Sequence, residues 1–234
     1  MGWPRIGAPF VLGHVTFDGN TLDDDVWSEF DKWLRTTRWR NERGWRMGVD
    51  GVAVDSGGRE GRTQKIYNWC HARHSRRIYA VKGVSGPRKL WERAKKVKGD
   101  MRLVNVAVDV AKTAVLDMIS RDPFPRELNG QRDPAAAHFS DSLPDEWFEQ
   151  VTNERRRLRY RGNRPIYVFE LARPGSPNEA LDCCVYAYAV RFAPAVASID
   201  LTEREGRQTD PEDARNPPLT KRTVAEWAAA FGRL

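Results

Sequence analysis

Cysteine is scarce in this sequence, which carries three in 234 residues. Cys183 and Cys184 are adjacent and therefore poorly placed to bridge each other. A sparse and odd set argues against a disulfide framework and is typical of proteins in a reducing compartment. Cys70 with His71 and His74 could suggest zinc. No second ligand cluster follows along the chain, so an ordinary helix end is the simpler interpretation.

Long apolar runs are also absent. No stretch approaches the roughly 18 residues that a membrane span requires. The first ten residues, MGWPRIGAPF, lack the apolar core of a signal peptide. Neither the GxxxxGKS/T loop nor the GxGxxG fingerprint of nucleotide-binding domains occurs. These absences predict a soluble intracellular protein with no membrane partner and no visible nucleotide-binding domain.

Basic residues, by contrast, are abundant. Lys and Arg total 39 against 32 Asp and Glu, which gives a formal net charge of +7 and a pI of about 9.5. Such a balance favours a polyanionic partner, most often nucleic acid. A basic surface with no specific partner is the alternative, and charge alone does not choose between them.

Along most of the chain, segments whose apolar residues follow the strand period alternate with segments whose apolar residues follow the helix period. Strands are predicted in 8–19, 47–54, 76–83 and 103–109, and a hairpin is predicted around Gly162-Asn163. Helices are predicted in 23–39, 63–71, 110–120, 144–152 and 176–192. In the last of these, Leu181, Val185, Tyr188 and Phe192 form the predicted apolar stripe. This alternation predicts a mixed α/β domain. Residues 200–220 are predicted to be disordered.

One segment departs from this alternation. The stretch GVSGPRKLWERAKKVKGD (83–100) combines Gly and Pro with many Lys and Arg residues. It predicts a mobile basic loop. A solvated run of charge without a partner is the alternative interpretation.

A single carboxylate, Asp55, stands at the carboxyl end of the strand predicted in 47–54. Sites in open α/β sheets form outside the carboxyl ends of strands. Gly57 and Gly58 follow, and residues without side chains let another group approach closely. The alternative is that Asp55 merely caps the following turn, as Asp often does.

Two further acids, Glu179 and Asp182, are three residues apart at the start of the predicted helix 176–192, so both lie near each other. Clustered carboxylates repel unless a cation lies between them, and Mg²⁺ or Mn²⁺ prefers oxygen ligands. Two such ions can clamp a phosphodiester during hydrolysis, so a basic chain with these acids points to a nuclease. The alternative is that both acids only stabilise a helix N-terminus.

Several motifs occur together in a fixed order: VDSGG, TQKIYNWC, RRIYAVKG, LVNVAVDVAKT, the HF pair at 138–139, and NEALDCCVYAYA. In this order they resemble the C-terminal nuclease half of the large terminase subunit of tailed phages, in its lambda-like branch. The similarity extends over most of residues 1–192. The DSGG and NEALDC elements are its most specific parts.

This resemblance implies an RNase H-like α/β fold, a mixed sheet flanked by helices, which cuts DNA with two metal ions, Mg²⁺ or Mn²⁺. It implies that Asp55 and Asp182 hold metal and that Glu179 assists as a ligand or orienter. It matches Lys82 to the lysine of a YAxKG element and places the basic loop where DNA must pass. The implied phosphate contacts in that loop are Arg88, Lys89, Arg93, Lys95, Lys96 and Lys98.

The sequence also departs from the family. The family carries its first catalytic Asp on a central first strand, whereas this sequence begins near a later Gly-Trp element, Gly2-Trp3. The resemblance therefore implies that the first strand or strands and the ATPase half are missing, and lie on an absent segment or on another chain. We expect a nuclease-like domain over 1–193 and a tail with a short terminal helix over 194–234.

The function implied by the resemblance is metal-dependent endonucleolytic cleavage of double-stranded DNA during phage genome packaging. Its setting would be the cytoplasm of the infected bacterium, with the small terminase subunit and the portal as partners. The alternative is a non-catalytic module, left from a truncated or split terminase, that binds DNA or docks on the portal. Metal dependence and the effect of Asp55→Asn distinguish the two.

Overall fold

The computed structural model describes residues 1–4, 7–41, 44, 46–58, 61–95 and 102–202. The chain divides into two units, Met1–Val26 with Asp50–Ser198 and Trp27–Val49 with Ile199–Leu234. The predicted domain boundary after residue 193 stays a prediction. The predicted terminal helix and most of the predicted disordered segment lie outside the described residues.

Strands and helices alternate along the described residues. The strands are β1 (Phe10–Val11), β2 (Trp39–Arg40), β3 (Arg46–Met47), β4 (Val52–Asp55), β5 (Ile78–Val84), β6 (Trp91–Arg93), β7 (Leu103–Ala107), β8 (His138–Phe139), β9 (Glu154–Arg161) and β10 (Arg164–Leu171). The α-helices are α1 (Asp24–Thr36), α2 (Arg62–His71), α3 (Val108–Ser120), α4 (Asp145–Thr152), α5 (Glu179–Val190) and α6 (Pro194–Ala197).

A four-stranded mixed sheet lies at the centre of the first unit. Strands β4, β5 and β7 run parallel, and β6 pairs antiparallel with β7. The order is β4-β5-β7-β6, so β4 is at one edge among the described strands. A mixed sheet with flanking helices confirms the α/β prediction and is consistent with an RNase H-like fold. Parallel strands that are covered by helices on both faces have nearly continuous apolar sequences, because both faces are buried. The sequence LVNVA of β7, in which all residues but Asn105 are buried, is an example.

The core lies between this sheet and helices α3, α4 and α5. Val81, Val106, Val115, Leu181 and Val185 are fully buried there. Burying each such side chain contributes about 1.5–3 kcal/mol. This packing fixes α5 against β4 and α3, and therefore sets where the polar residues of α5 lie.

The predicted apolar stripe of α5 is only partly correct. Leu181 and Val185 are fully buried and Tyr188 is half-buried, but Phe192 is 45% exposed. The reason is that α5 ends at Val190 and the chain turns before Phe192. At the other end of the helix, the Gln150 side chain of α4 accepts a hydrogen bond from the Ala180 N–H at 3.1 Å.

The predicted hairpin is confirmed. Strands β9 and β10 pair antiparallel along their whole length, from Glu154–Leu171 at the base to Arg161–Arg164 beside the turn. Many of its apolar side chains face solvent, Tyr160 most of all at 70% exposure. Within the part of the chain that the structure describes, no helix is both long and apolar enough to span a membrane.

The basic segment 83–100 differs from its prediction. It was expected to be a loop, but β5 continues to Val84 and β6 occupies Trp91–Arg93 within it. The β6 ladder extends past both ends of the strand, since the Ala94 and Ala107 N–H groups donate to Leu103 and Leu90. The Trp91 ring also packs edge-on against Tyr79 at 5.2 Å between centroids. Aromatic packing and ladder bonds thus order part of a segment whose composition favours a loop.

The second unit contains most of α1 and the short β2–β3 pair. In that pair Trp39 is opposite Met47, and the Trp33 and Trp39 rings meet edge-on at 6.0 Å. The strand predicted for 47–54 is therefore two strands, β3 and β4, separated by 48–51.

Candidate active site

The loop after β4 holds Asp55 by local hydrogen bonds. The Gly57 N–H donates to Asp55 Oδ1 at 2.9 Å. The buried Ser56 hydroxyl donates to the Val81 carbonyl at 2.7 Å, which ties the loop to β5. A Cβ atom at Gly57 would lie 3.3 Å from both carboxylate oxygens of Asp55. The DSGG stretch thus leaves Asp55 exposed at a strand end while a bare backbone approaches it closely.

Helix α5 presents Tyr186 to the same carboxylate. The Tyr186 hydroxyl lies beside the Asp55 carboxylate and the Gly83 backbone, and both affect its pKa. Burial raises the pKa of Tyr186, and the nearby Asp55 and Asp182 carboxylates raise it further. The hydroxyl therefore stays protonated at neutral pH. Gly83 allows this approach, because a Cβ there would lie 2.9 Å from the Tyr186 hydroxyl oxygen and 2.7 Å from Val108.

Asp182 lies one helical turn before Tyr186 and contacts a second charged group. Lys112 of α3 places its Nζ 3.3 Å from Asp182 Oδ1. The same Nζ is 2.6 Å and 2.7 Å from the two carboxylate oxygens of Glu154, at the base of the hairpin. Asn178 Nδ2 donates to Glu154 Oε1 at 2.6 Å. Helices α3 and α5 and strand β9 thus meet beside Asp182.

The electrostatics of Asp182 reflect this arrangement. Desolvation raises the pKa of its carboxyl, Lys112 lowers it, and Glu154 and Asp55 raise it again, with a net increase. Asp55 and Asp182 are therefore close enough to interact, although they are 127 residues apart in the sequence. A carboxylate whose ionised form is disfavoured, as that of Asp182 is, is a place where a bound cation is stabilised.

The structure places the third predicted acid differently. Glu179 is the first residue of α5 and its side chain is exposed. The carboxylate beside Asp182 is instead that of Glu154, which is buried. Among the residues the structure describes, no three His, Cys, Asp or Glu side chains form a group that could hold a metal ion. Among the described residues, the candidate ligands of the site are therefore the two carboxylates Asp55 and Asp182.

Lys82 is not brought to these carboxylates. Asp55 is in register with Val81, and Val81 packs in the core formed with α5. Side chains alternate between the faces of a strand, so Lys82 lies on the opposite face of the sheet from Asp55. That face carries Ile78 and Ala80, which border a small cavity with Tyr67 and Cys70 of α2.

The predicted phosphate-contact residues of the segment 83–100 are placed in part. Lys89, Arg93 and Lys95 are exposed. Arg88 is half-buried, and its Nη2 donates weakly to the Ser85 carbonyl at 3.4 Å. The Asp109 carboxylate accepts a hydrogen bond from the Gly86 N–H at 2.8 Å and fixes the start of the segment. Lys96 and Lys98 lie outside the described residues.

A second basic surface lies on the hairpin. Alternation puts Arg155, Arg157 and Arg159 on one face of β9. Glu170 of β10 neutralises part of this charge, at 2.7 Å from Arg159 and 3.6 Å from Arg157. On the other face the Arg156 guanidinium lies over the Tyr167 ring at 4.1 Å. The sequence indicated a hairpin here but not how its charges divide between the faces.

Three residues of the site were not predicted. Tyr186 could have been found, because it is four residues after Asp182 and therefore on the same helix face. Lys112 and Glu154 gave no signal, since each reaches the site through a contact across 24 residues or more of sequence.

A protein-family model described as terminase large subunit gpA, endonuclease domain, matches residues 1–201. Comparisons with curated proteins and with solved structures gave no match. The matched range covers most of the 234 residues and contains the whole constellation around Asp55 and Asp182. The chain belongs to the family of terminase large-subunit endonuclease domains.

Proposed function

We propose that this chain hydrolyses phosphodiester bonds of double-stranded DNA during phage genome packaging, with Mg²⁺ or Mn²⁺ held by Asp55 and Asp182. One observation carries the proposal: β4 and α5 bring two carboxylates from distant parts of the sequence together at the carboxyl end of β4, one of the three parallel strands of the mixed sheet. Endonuclease domains of this kind are generally metal-dependent, which agrees with the chemistry of that pair.

The donor set fits a hard divalent cation. Both groups are carboxylates, and Mg²⁺ is typically bound by one or two carboxylates, with water and substrate phosphate completing its shell. Gly57 leaves the Asp55 oxygens accessible on its side, because a Cβ there would lie 3.3 Å from both of them. Two carboxylates suffice for one ion. A second ion would draw its other ligands from phosphate, from water and from Glu179, which we retain as a ligand or orienter.

The chain's own residues position the reacting groups. When bound, the cation polarises the phosphodiester and activates a water molecule. Asp55 is oriented by the Gly57 N–H and the Tyr186 hydroxyl. Asp182 is oriented by Lys112. Preorganised ligands of this kind reduce the rearrangement needed to reach the transition state.

We assign DNA contacts to the two basic surfaces. The first runs from the end of β5 through residues 83–100, with Lys82, Arg88, Lys89, Arg93, Lys95, Lys96 and Lys98 as proposed phosphate contacts. The second is the hairpin, which carries several arginines and two exposed tyrosines, Tyr160 and Tyr167. An arginine guanidinium can bind two phosphate oxygens in a bidentate manner, and aromatic rings stack on bases.

The remaining partners follow from the family. We propose that the small terminase subunit, the portal and an ATPase domain on an absent segment or another chain complete the assembly, in the cytoplasm of the infected host. No membrane partner is proposed.

Plasmid nicking by the purified chain tests the proposal. We expect nicking in Mg²⁺ or Mn²⁺, none in EDTA, and none for Asp55→Asn. Asp141→Asn is the matched control, because Asp141 is exposed and outside the site. DNA binding that needs no metal, without nicking and unaffected by Asp55→Asn, would instead favour the non-catalytic module that binds DNA or docks on the portal.

A further inference from the structure

Lys112 lies between two carboxylates at unequal distances. Its Nζ is 2.6 Å and 2.7 Å from both oxygens of Glu154, but 3.3 Å from the nearest oxygen of Asp182. The side chains of Glu154 and Lys112 are 5% and 12% exposed, whereas that of Asp182 is 39% exposed. The ammonium group is therefore paired mainly with the buried carboxylate.

The position of Glu154 is itself fixed. Asn178 Nδ2 donates to Glu154 Oε1 at 2.6 Å but is 3.5 Å from Asp182 Oδ2. Glu154 begins β9, next to the end of α4, and its partners come from α3 and from the residue before α5. Helices α3, α4 and α5 pack together in the core, so the Glu154 side chain has little freedom to turn away from Lys112 and Asn178.

The effect of the Lys112–Glu154 pair on the site follows from the formal charges of the groups. Asp55, Asp182 and Glu154 carry three formal negative charges, and Lys112 carries one positive charge. If Lys112 were paired with Asp182, that carboxylate would be neutralised and its oxygens occupied by N–H donors. Because Glu154 takes both short contacts, Asp182 keeps its negative charge and an accessible oxygen.

We infer that Glu154 is a positioning residue that keeps the Lys112 ammonium from neutralising Asp182 and thereby leaves Asp182 available to a divalent cation. The inference rests on the proposed function, in which Asp182 is a metal ligand. Lys112 steadies Asp182 at 3.3 Å without replacing the cation, and this balance depends on the stronger contact with Glu154.

A double-mutant cycle read by Mn²⁺ binding tests the inference. Free Mn²⁺ is measured by electron paramagnetic resonance for the wild-type chain, Glu154→Gln, Lys112→Met and the double variant. We expect Glu154→Gln to weaken Mn²⁺ binding at least about tenfold, the size of effect usual for groups that orient metal ligands. Its amide cannot hold the ammonium as a carboxylate does, so Lys112 turns to Asp182.

The double variant carries the sharper prediction. Removing the ammonium as well should restore Mn²⁺ affinity to within about threefold of wild type. A merely structural role for Glu154 would leave the double variant as weak as the single one. Glu170→Gln is the matched control, since Glu170 also pairs with basic residues, but these are Arg157 and Arg159 of the hairpin and not Lys112. Thermal unfolding in EDTA checks that each variant is folded.

The outcomes separate this inference from the proposed function. The inference alone is overturned if Glu154→Gln binds Mn²⁺ as tightly as the wild type does. It is also overturned if the double variant does not recover Mn²⁺ affinity. A wild-type chain that binds no Mn²⁺ overturns both.

Discussion

At the scale of single residues, the site depends on two glycines, Gly57 and Gly83, which leave space that a side chain would fill. The Gly57 N–H donates to Asp55, and Gly83 leaves room for the Tyr186 hydroxyl that lies beside Asp55. A Cβ at Gly83 would overlap both Val108 and the Tyr186 hydroxyl. Each glycine therefore determines where the neighbouring polar group can lie.

Gly83→Ala tests this arrangement. The added methyl group has to displace Val108 and Tyr186, so we expect the free energy of unfolding to fall by about 1–3 kcal/mol. We also expect nicking to fall, because Tyr186 no longer orients Asp55. Chemical denaturation and the nicking assay measure the two effects.

Gly13→Ala is the control for this change. A Cβ at Gly13 meets nothing within 4 Å, so the same substitution there should leave both stability and nicking nearly unchanged. Equal stability of the two variants would contradict the packing described around Gly83.

Residue-scale prediction from the sequence was possible where the signal was local. Asp55 ends a strand, and Asp182 lies in the first turn of a helix, so a pattern of a few residues indicates each as a candidate. Glu154 gave no such signal, because an acid at the start of an arginine-rich strand looks solvent-exposed. Its burial results from Lys112 and Asn178, which only the fold brings near.

At the scale of secondary-structure elements, the hairpin separates its charges by face. Arg155 and Arg157 of β9 are exposed, and neutralising phosphates with such residues releases counterions. We expect Arg155→Gln with Arg157→Gln to weaken DNA binding in EDTA. The slope of log affinity against log salt should shrink by about 2, since each lost contact removes about 0.9.

Fluorescence anisotropy with a labelled duplex at several salt concentrations measures this slope. Lys32→Gln with Arg126→Gln is the matched control, because it removes the same charge from exposed residues outside the hairpin. An equal loss in both double variants would mean that DNA responds to net charge and not to the hairpin.

The short β1–β8 pair gives a pH-dependent prediction. Phe10 and His138 are in register and their rings stack at 4.0 Å. Burial, with Arg132 nearby, lowers the pKa of His138 to about 4 from an ordinary value of 6.5. Below pH 6.5 the unfolded chain takes up a proton at this residue and the folded chain does not. Stability should therefore fall as the pH drops from 6.5 towards 4.

His138→Phe keeps an aromatic ring against Phe10 and removes the titration. We expect its stability to be less dependent on pH than that of the wild type between pH 6.5 and 4. Thermal unfolding across this range compares the two chains. Parallel curves would contradict the buried, neutral state of His138.

Element-scale prediction was correct for long periodic segments and wrong where packing overrode composition. Helices α2, α3, α4 and α5 and the hairpin follow from apolar spacing and from the Gly-Asn turn. Strand β6 was missed because Arg93 and its neighbours read as a charged loop. Its ladder with β7 and the Trp91–Tyr79 contact are tertiary features.

At the scale of the whole molecule, a basic chain presents a small acidic site. In the function we propose, the net charge of +7 attracts DNA, whereas the two carboxylates Asp55 and Asp182 bind a cation. Phosphodiester hydrolysis needs both, since the phosphate must approach a site of its own charge sign through an intervening cation. Membership of the endonuclease-domain family agrees with this division of charge.

The central claim is that Asp55 and Asp182 share one divalent cation. Anomalous diffraction from crystals soaked in Mn²⁺ tests it most directly, because the anomalous difference map locates manganese without reference to activity. The account predicts a peak within coordination distance of both carboxylates, and its loss in crystals of Asp182→Asn. A peak elsewhere, or no peak at a saturating Mn²⁺ concentration, would contradict it.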